Sequence, residues 1–254
     1  MAAVSATRQF LLCLKHFESN PEISSTLFPR LCLNRYYLAE GVRIFSQDTW
    51  VMIVGKDGKK VVEDDIGSYV LYYKDCTKAD NHAVREAACQ CIAELASKID
   101  SGILAPYVEE LLSTLIESFQ DESWPVRDMA CVACGTFISY YPQQSLEKYP
   151  ILKDLFIENL RDPIASVRQG AAQAIGKSVK VYQEQFPDIT KSFWELMSES
   201  FANVQNQPIE STKYEEFSKN PASFGVVKRM RDNDAGINTR MIGPYHKFRK
   251  NMKN

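Results

Sequence analysis

Histidine is scarce in this chain: three in 254 residues, at His16, His82 and His246. Three scattered imidazoles argue against a Ser-His-Asp or Cys-His catalytic arrangement and against a His-rich metal centre. No long apolar run is present, so a membrane-spanning helix is not expected. A phosphate loop is also missing. Gly55-Lys56-Asp57-Gly58-Lys59-Lys60 lacks both the four-residue gap before Gly-Lys and a following Ser or Thr, and reads as a solvated turn.

Cysteine is present but unpaired by pattern. The seven residues, at 13, 32, 76, 89, 91, 131 and 134, are odd in number, and most fall among apolar neighbours in helical patterns. No signal peptide is recognisable before them, so buried thiols in a reducing cytosolic or nuclear setting are expected. Cys131-x-x-Cys134 has neither a βαβ unit beside it nor a second ligand pair, so a redox or zinc role is disfavoured. No metal, cofactor or catalytic residue is expected. The N-terminal run Ala2–Phe17 fits a weak mitochondrial presequence, but the buried stripe of a first helix over 8–18 is preferred.

What is there is a repeat. Val42-Arg43, Val84-Arg85, Val126-Arg127 and Val167-Arg168 follow one another at spacings of 42, 42 and 41 residues. Small residues follow the last three: Ala87 and Ala88, Ala130, Ala171. A period near 40 with helical patterning inside it points to a solenoid. Val84, Ala87, Ala88, Cys91, Ile92 and Leu95 form one helical stripe. Val108, Leu111, Leu112, Leu115, Ile116 and Phe119 form another, and Val126, Met129, Ala130, Ala133, Cys134 and Phe137 a third. Small residues from Gly170 to Gly176 predict close approach of a neighbouring helix. Pro29 predicts a kink or boundary. Residues 48–62 admit two readings, a helix end with a loop or an Asp-Gly hairpin, and the repeat phase favours the first. The acidic pairs Asp64-Asp65 and Glu109-Glu110 suit helix starts, where negative charge is favourable.

These residues resemble HEAT repeats. The pattern of a proline near the first helix start, a turn aspartate, then Val-Arg and small residues appears as Pro106, Asp121, Val126-Arg127 and Ala130. It returns as Pro150, Asp162, Val167-Arg168 and Ala171. The match is clearest over 62–182 and looser over 20–60 and 186–203. The resemblance implies an all-α superhelix of about four helix pairs, with the second helices lining a concave side. It also implies that Asp121, Arg127, Asp162 and Arg168 bond between adjacent repeats. HEAT-like metal hydroxylases rely on His-Glu dipeptides, and none occurs here.

The array is expected over 1–204, followed by a basic, disordered tail over 205–254. The tail holds ten Lys/Arg and five Asp/Glu, against 20 basic and 27 acidic residues before it. Its Lys228-Arg229-x-Arg231 and Lys247-x-Arg249-Lys250 runs suit solvent first, and nucleic acid or an acidic protein surface second. By repeat phase Glu86, Gln90, Asp128, Gln169, Gln173 and Lys177 leave the apolar stripes and form an acidic-to-neutral concave strip. Trp124 either anchors a partner or fills a gap between repeats. The expected function is a non-enzymatic scaffold or adaptor for a protein partner in the cytoplasm or nucleus. A fragment of a transport-receptor-like or microtubule-regulator-like protein is the alternative, and an enzyme the remote one.

Overall fold

The computed structural model describes residues 2–13 and 21–184, together with 191, 193–195, 198 and 202. Among these residues the secondary structure is helical, with no strand. The expected tail over 205–254, and the start of a further repeat after 186, lie outside or largely outside them.

The chain divides into two compact units, Met1–Arg161 with Val167–Val181, and Asp162–Ser166 with Tyr182–Asn254. In the first unit α1 (Ala2–Cys13) lies on α3 (Glu40–Val54). Arg8 fixes it there. Its Nε donates to Thr49 Oγ1 at 2.6 Å and its Nη2 to the Phe45 carbonyl at 2.8 Å, with the guanidinium over the Phe45 ring. α2 (Pro21–Asn34) packs against α3, and Pro29 sits inside α2 without ending it.

Residues 48–62 are helix, turn and helix. α3 runs to Val54, and Gly55 closes it at φ 56°, a left-handed angle that a Cβ disfavours. The short α4 (Gly58–Asp64), which the repeat phase did not anticipate, precedes α5 (Ile66–Cys76).

The clearest repeats follow. α6 (His82–Lys98) is capped by Asn81, whose side chain accepts from the Ala83 amide at 2.9 Å. α7 (Ser101–Leu104) and a single 3-10 turn lead into α8 (Val108–Glu117), where Pro106 falls in that turn, one step ahead of the α-helix it was expected to open. α9 (Trp124–Tyr140) packs along α6 and α8. α10 (Pro142–Ser145) leads to α11 (Tyr149–Asn159) and α12 (Ala165–Tyr182).

The apolar stripes form the core, except that Val84, Ile116 and Met129 are only half-buried. Ala87, Ala88, Cys91, Ile92, Leu111, Leu112, Leu115, Val126, Ala130, Ala133 and Phe137 are completely buried. Each leucine removed from water contributes about 1.5–3 kcal/mol. Phe119 and Phe156 carry the core from one repeat to the next, with ring centroids 5.6 Å apart. The second unit contributes a small turn in which Asp162 Oδ1 accepts from the Ile164 amide at 2.8 Å.

Candidate interaction groove

Two features repeat along the first unit: a turn held by arginine and a groove on the second helices. In the turn, Arg85 Nη1 donates to the carbonyls of Ala79 and Asp80 at 2.8 and 2.9 Å. One period later Arg127 Nη1 donates to those of Asp121 and Glu122 at 2.8 and 3.2 Å. The arginine thus satisfies carbonyls of the turn before its helix.

Arg85 also crosses the repeat junction. Its Nε and Nη2 meet Asp121 Oδ2 and Oδ1 at 2.7 and 2.9 Å, a bidentate pair with side chains only 10% and 11% exposed. Asp121 Oδ1 further accepts from the Ser123 amide at 2.8 Å. Burial pushes the Asp121 carboxyl up, but Arg85 and the Ser123 amide outweigh it and hold it below the usual carboxylate range. The residue that completes this junction is Arg85. It belongs to the Val-Arg repeat and was open to discovery by phase. Arg127 holds the carbonyls of Asp121 and Glu122 in the turn before its helix, and Arg168 is exposed.

The groove is lined by residues of α6, α9 and α12, and has a volume of about 650 Å³. α6 contributes Gln90, Ala93, Glu94, Ser97 and Lys98, spaced as one helical stripe. α9 contributes Met129, Val132, Thr136, Ser139 and Tyr140, and α12 contributes Lys177 and Lys180. Tyr36, after α2, also lines it. Counted from the repeat arginine, Glu94, Thr136 and Lys177 are equivalent positions, as are Ser97, Ser139 and Lys180.

Its polar groups are partly tied. Glu94 accepts from Arg35 Nη2 and Nη1 at 2.6 and 3.3 Å. Lys177 Nζ donates to Thr136 Oγ1 at 3.1 Å, bridging α12 and α9, and burial lowers the lysine pKa. Tyr140 is 56% exposed at the rim.

Gln90 and Lys177, both expected from repeat phase, are therefore together in the groove. The other expected positions are elsewhere. Glu86 is only 4% exposed and does not line it. Asp128 is half-buried against α12, where the absent Cβ of Gly170 leaves room for its carboxylate. Burial pushes the Asp128 carboxyl up to about 7. Gln169 is half-buried and Gln173 exposed, both outside the groove lining. Trp124 is the half-buried first residue of α9. The residue immediately after the repeat arginine faces inward on α6 and α9 because another second helix packs beside each. Nor is the groove acidic-to-neutral as expected, since Lys98, Lys177 and Lys180 outnumber Glu94.

Among the described residues no group of three or more His, Cys, Asp or Glu is placed to hold a metal ion. Cys131 and Cys134 are fully buried, and Asn159 Nδ2 approaches Cys131 Sγ at 3.2 Å. Burial pushes the Cys134 thiol well up, which opposes thiolate chemistry. No described helix is long and apolar enough to cross a membrane.

Residues 82–137 match the model of the HEAT-like repeat family, a span that covers α6 and most of α9. No curated protein matches the chain. Among solved structures, a chain from the complex described as Kap95p binding to RanGDP is similar over 80% of this chain, with 17% identity and a TM-score of 0.54. This chain spans only 25% of that one. An engineered protein matches 81% of this chain over 96% of its own length, with 15% identity and a TM-score of 0.48.

Proposed function

Because the chain is a HEAT/armadillo-like helical solenoid with a HEAT-like repeat at 82–137, we propose that it is a non-enzymatic scaffold or adaptor. It holds a segment of a protein partner in the groove of α6, α9 and α12, in the cytoplasm or nucleus. The groove carries this reading. It is built from equivalent positions of successive repeats, so it offers a partner a repeating series of contacts. Its floor combines Ala93, Met129 and Val132 with hydroxyl and amide groups, a mixture suited to peptide backbone and side chains.

A photocrosslinking residue placed at Ser139, inside the groove, tests the reading against one at Asp154, exposed on α11. Partner adducts form from Ser139 and disappear when Ala93→Trp fills the groove. Equal adduct formation from both positions removes the proposal.

A second reading, of a nuclear-transport-receptor relative, draws on the likeness to a chain from the Kap95p–RanGDP structure. Direct binding of RanGDP by the purified chain supports it, and absence of binding at high protein concentration counts against it.

A further inference from the structure

The charges around the groove point to its occupant. Building on the groove reading, we propose that the bound segment is an acidic peptide with interleaved apolar residues, lying with its carboxylates toward α12. Glu94, the one acidic lining residue, is already matched by the two-pronged bond from Arg35. Lys98 and Lys180 are exposed and form no ion pair among the described residues. Lys177 spends its ammonium on a neutral hydroxyl, that of Thr136.

Positive charge is therefore greatest at α12, where Lys177 and Lys180 stand together, whereas on α6 Lys98 is accompanied by Glu94. The equivalent positions run Glu94, Thr136, Lys177 and Ser97, Ser139, Lys180 from α6 to α12. An acidic segment gains most at the α12 end, while its apolar residues cover Met129, Val132 and Tyr140 on α9. The gradient gives the segment one preferred direction.

This basic strip is local. Residues 1–204 carry 20 basic and 27 acidic side chains, so the body as a whole repels a long polyanion. A nucleic acid would meet three lysines on an apolar floor, far short of a phosphate-tracking surface. The chain's own tail over 205–254, with ten basic and five acidic residues, has the wrong sign to fill the groove.

Fluorescence anisotropy on the full chain tests this with three labelled probes: a dodecapeptide alternating Glu and Leu, its Lys and Leu counterpart, and oligothymidine. The acidic peptide binds, and weakens about tenfold or more as salt rises from about 0.05 M to about 0.5 M. Lys98→Glu with Lys180→Glu weakens it by at least about tenfold and leaves the circular dichroism unchanged. The proposal is overturned if the acidic peptide fails to bind, if charge reversal leaves its affinity unchanged, or if either other probe binds as well. Ala93→Trp separates the two levels. A basic peptide blocked by Ala93→Trp keeps the groove as a docking surface and removes only its acidic preference. Acidic-peptide binding that ignores Ala93→Trp removes both.

Discussion

Arg85 and Asp121 close a repeat junction through two hydrogen bonds while Arg85 also holds the turn behind it. Arg85→Ala leaves a mostly buried carboxylate and two turn carbonyls without that partner. The expected cost is about 3–4 kcal/mol in urea unfolding, with exchange protection lost in both turns; loss confined to 79–81 would contradict the bridging role. The pH dependence has two opposed parts. The Asp121 carboxyl is held low, so its stabilisation is complete above the unfolded pKa of about 3.9 and is lost as pH falls through the folded value. The Asp128 carboxyl is held high, at about 7, so the folded state binds its proton more tightly and stability falls as pH rises from about 4 to about 7. Asp128→Asn is expected to add about 1–3 kcal/mol at neutral pH and little at pH about 4. Unfolding midpoints measured across that range check the sign, and a variant destabilised at neutral pH would refute it.

At the scale of elements, α9 and α12 approach closely because small residues face one another. A Cβ on Gly135 would lie 2.9 Å from Ala174 Cα and 3.0 Å from its Cβ. The obstacle is largely backbone, which cannot swing aside. Gly135→Ala should therefore cost about 1–3 kcal/mol through overpacking, even though alanine favours the helix by about 1 kcal/mol. Thermal unfolding checks this, and a rise in Tm would show that the helices part freely. Gly176→Ala is the comparison, since nothing lies within 4 Å of its added Cβ, and it is expected to stabilise α12. The run of small residues on α12 announced a close neighbour, but repeat phase did not distinguish Gly170, which receives Asp128, from the open Gly176.

At the scale of the molecule, the fold is a series of repeats, each supported chiefly by its neighbours. Leu112 on α8 is completely buried, and Leu112→Ala is expected to cost about 2–5 kcal/mol. The loss should not be uniform. Native-state hydrogen exchange is expected to rise most in α8 and α9, less in α6, and least in α2 and α3. A uniform rise would mean that the chain unfolds as one cooperative unit.

The sequence by itself determined the helical solenoid, because Val-Arg recurs at the period of stacked helix pairs and the apolar stripes between its copies have helical spacing. It also determined Cys134 as core and showed that residues 48–62 favour helix over hairpin. The division of the polar residues was another matter. A single helix stripe says which side leaves its own core, but not which neighbouring helix covers that side. Packing beside α6 and α9 took Glu86 and Asp128 inward, and left Glu94, Thr136, Ser139 and Lys180 around the groove. The groove's excess of lysine was decided in the same way, by which positions of successive repeats remained uncovered once the helices had stacked.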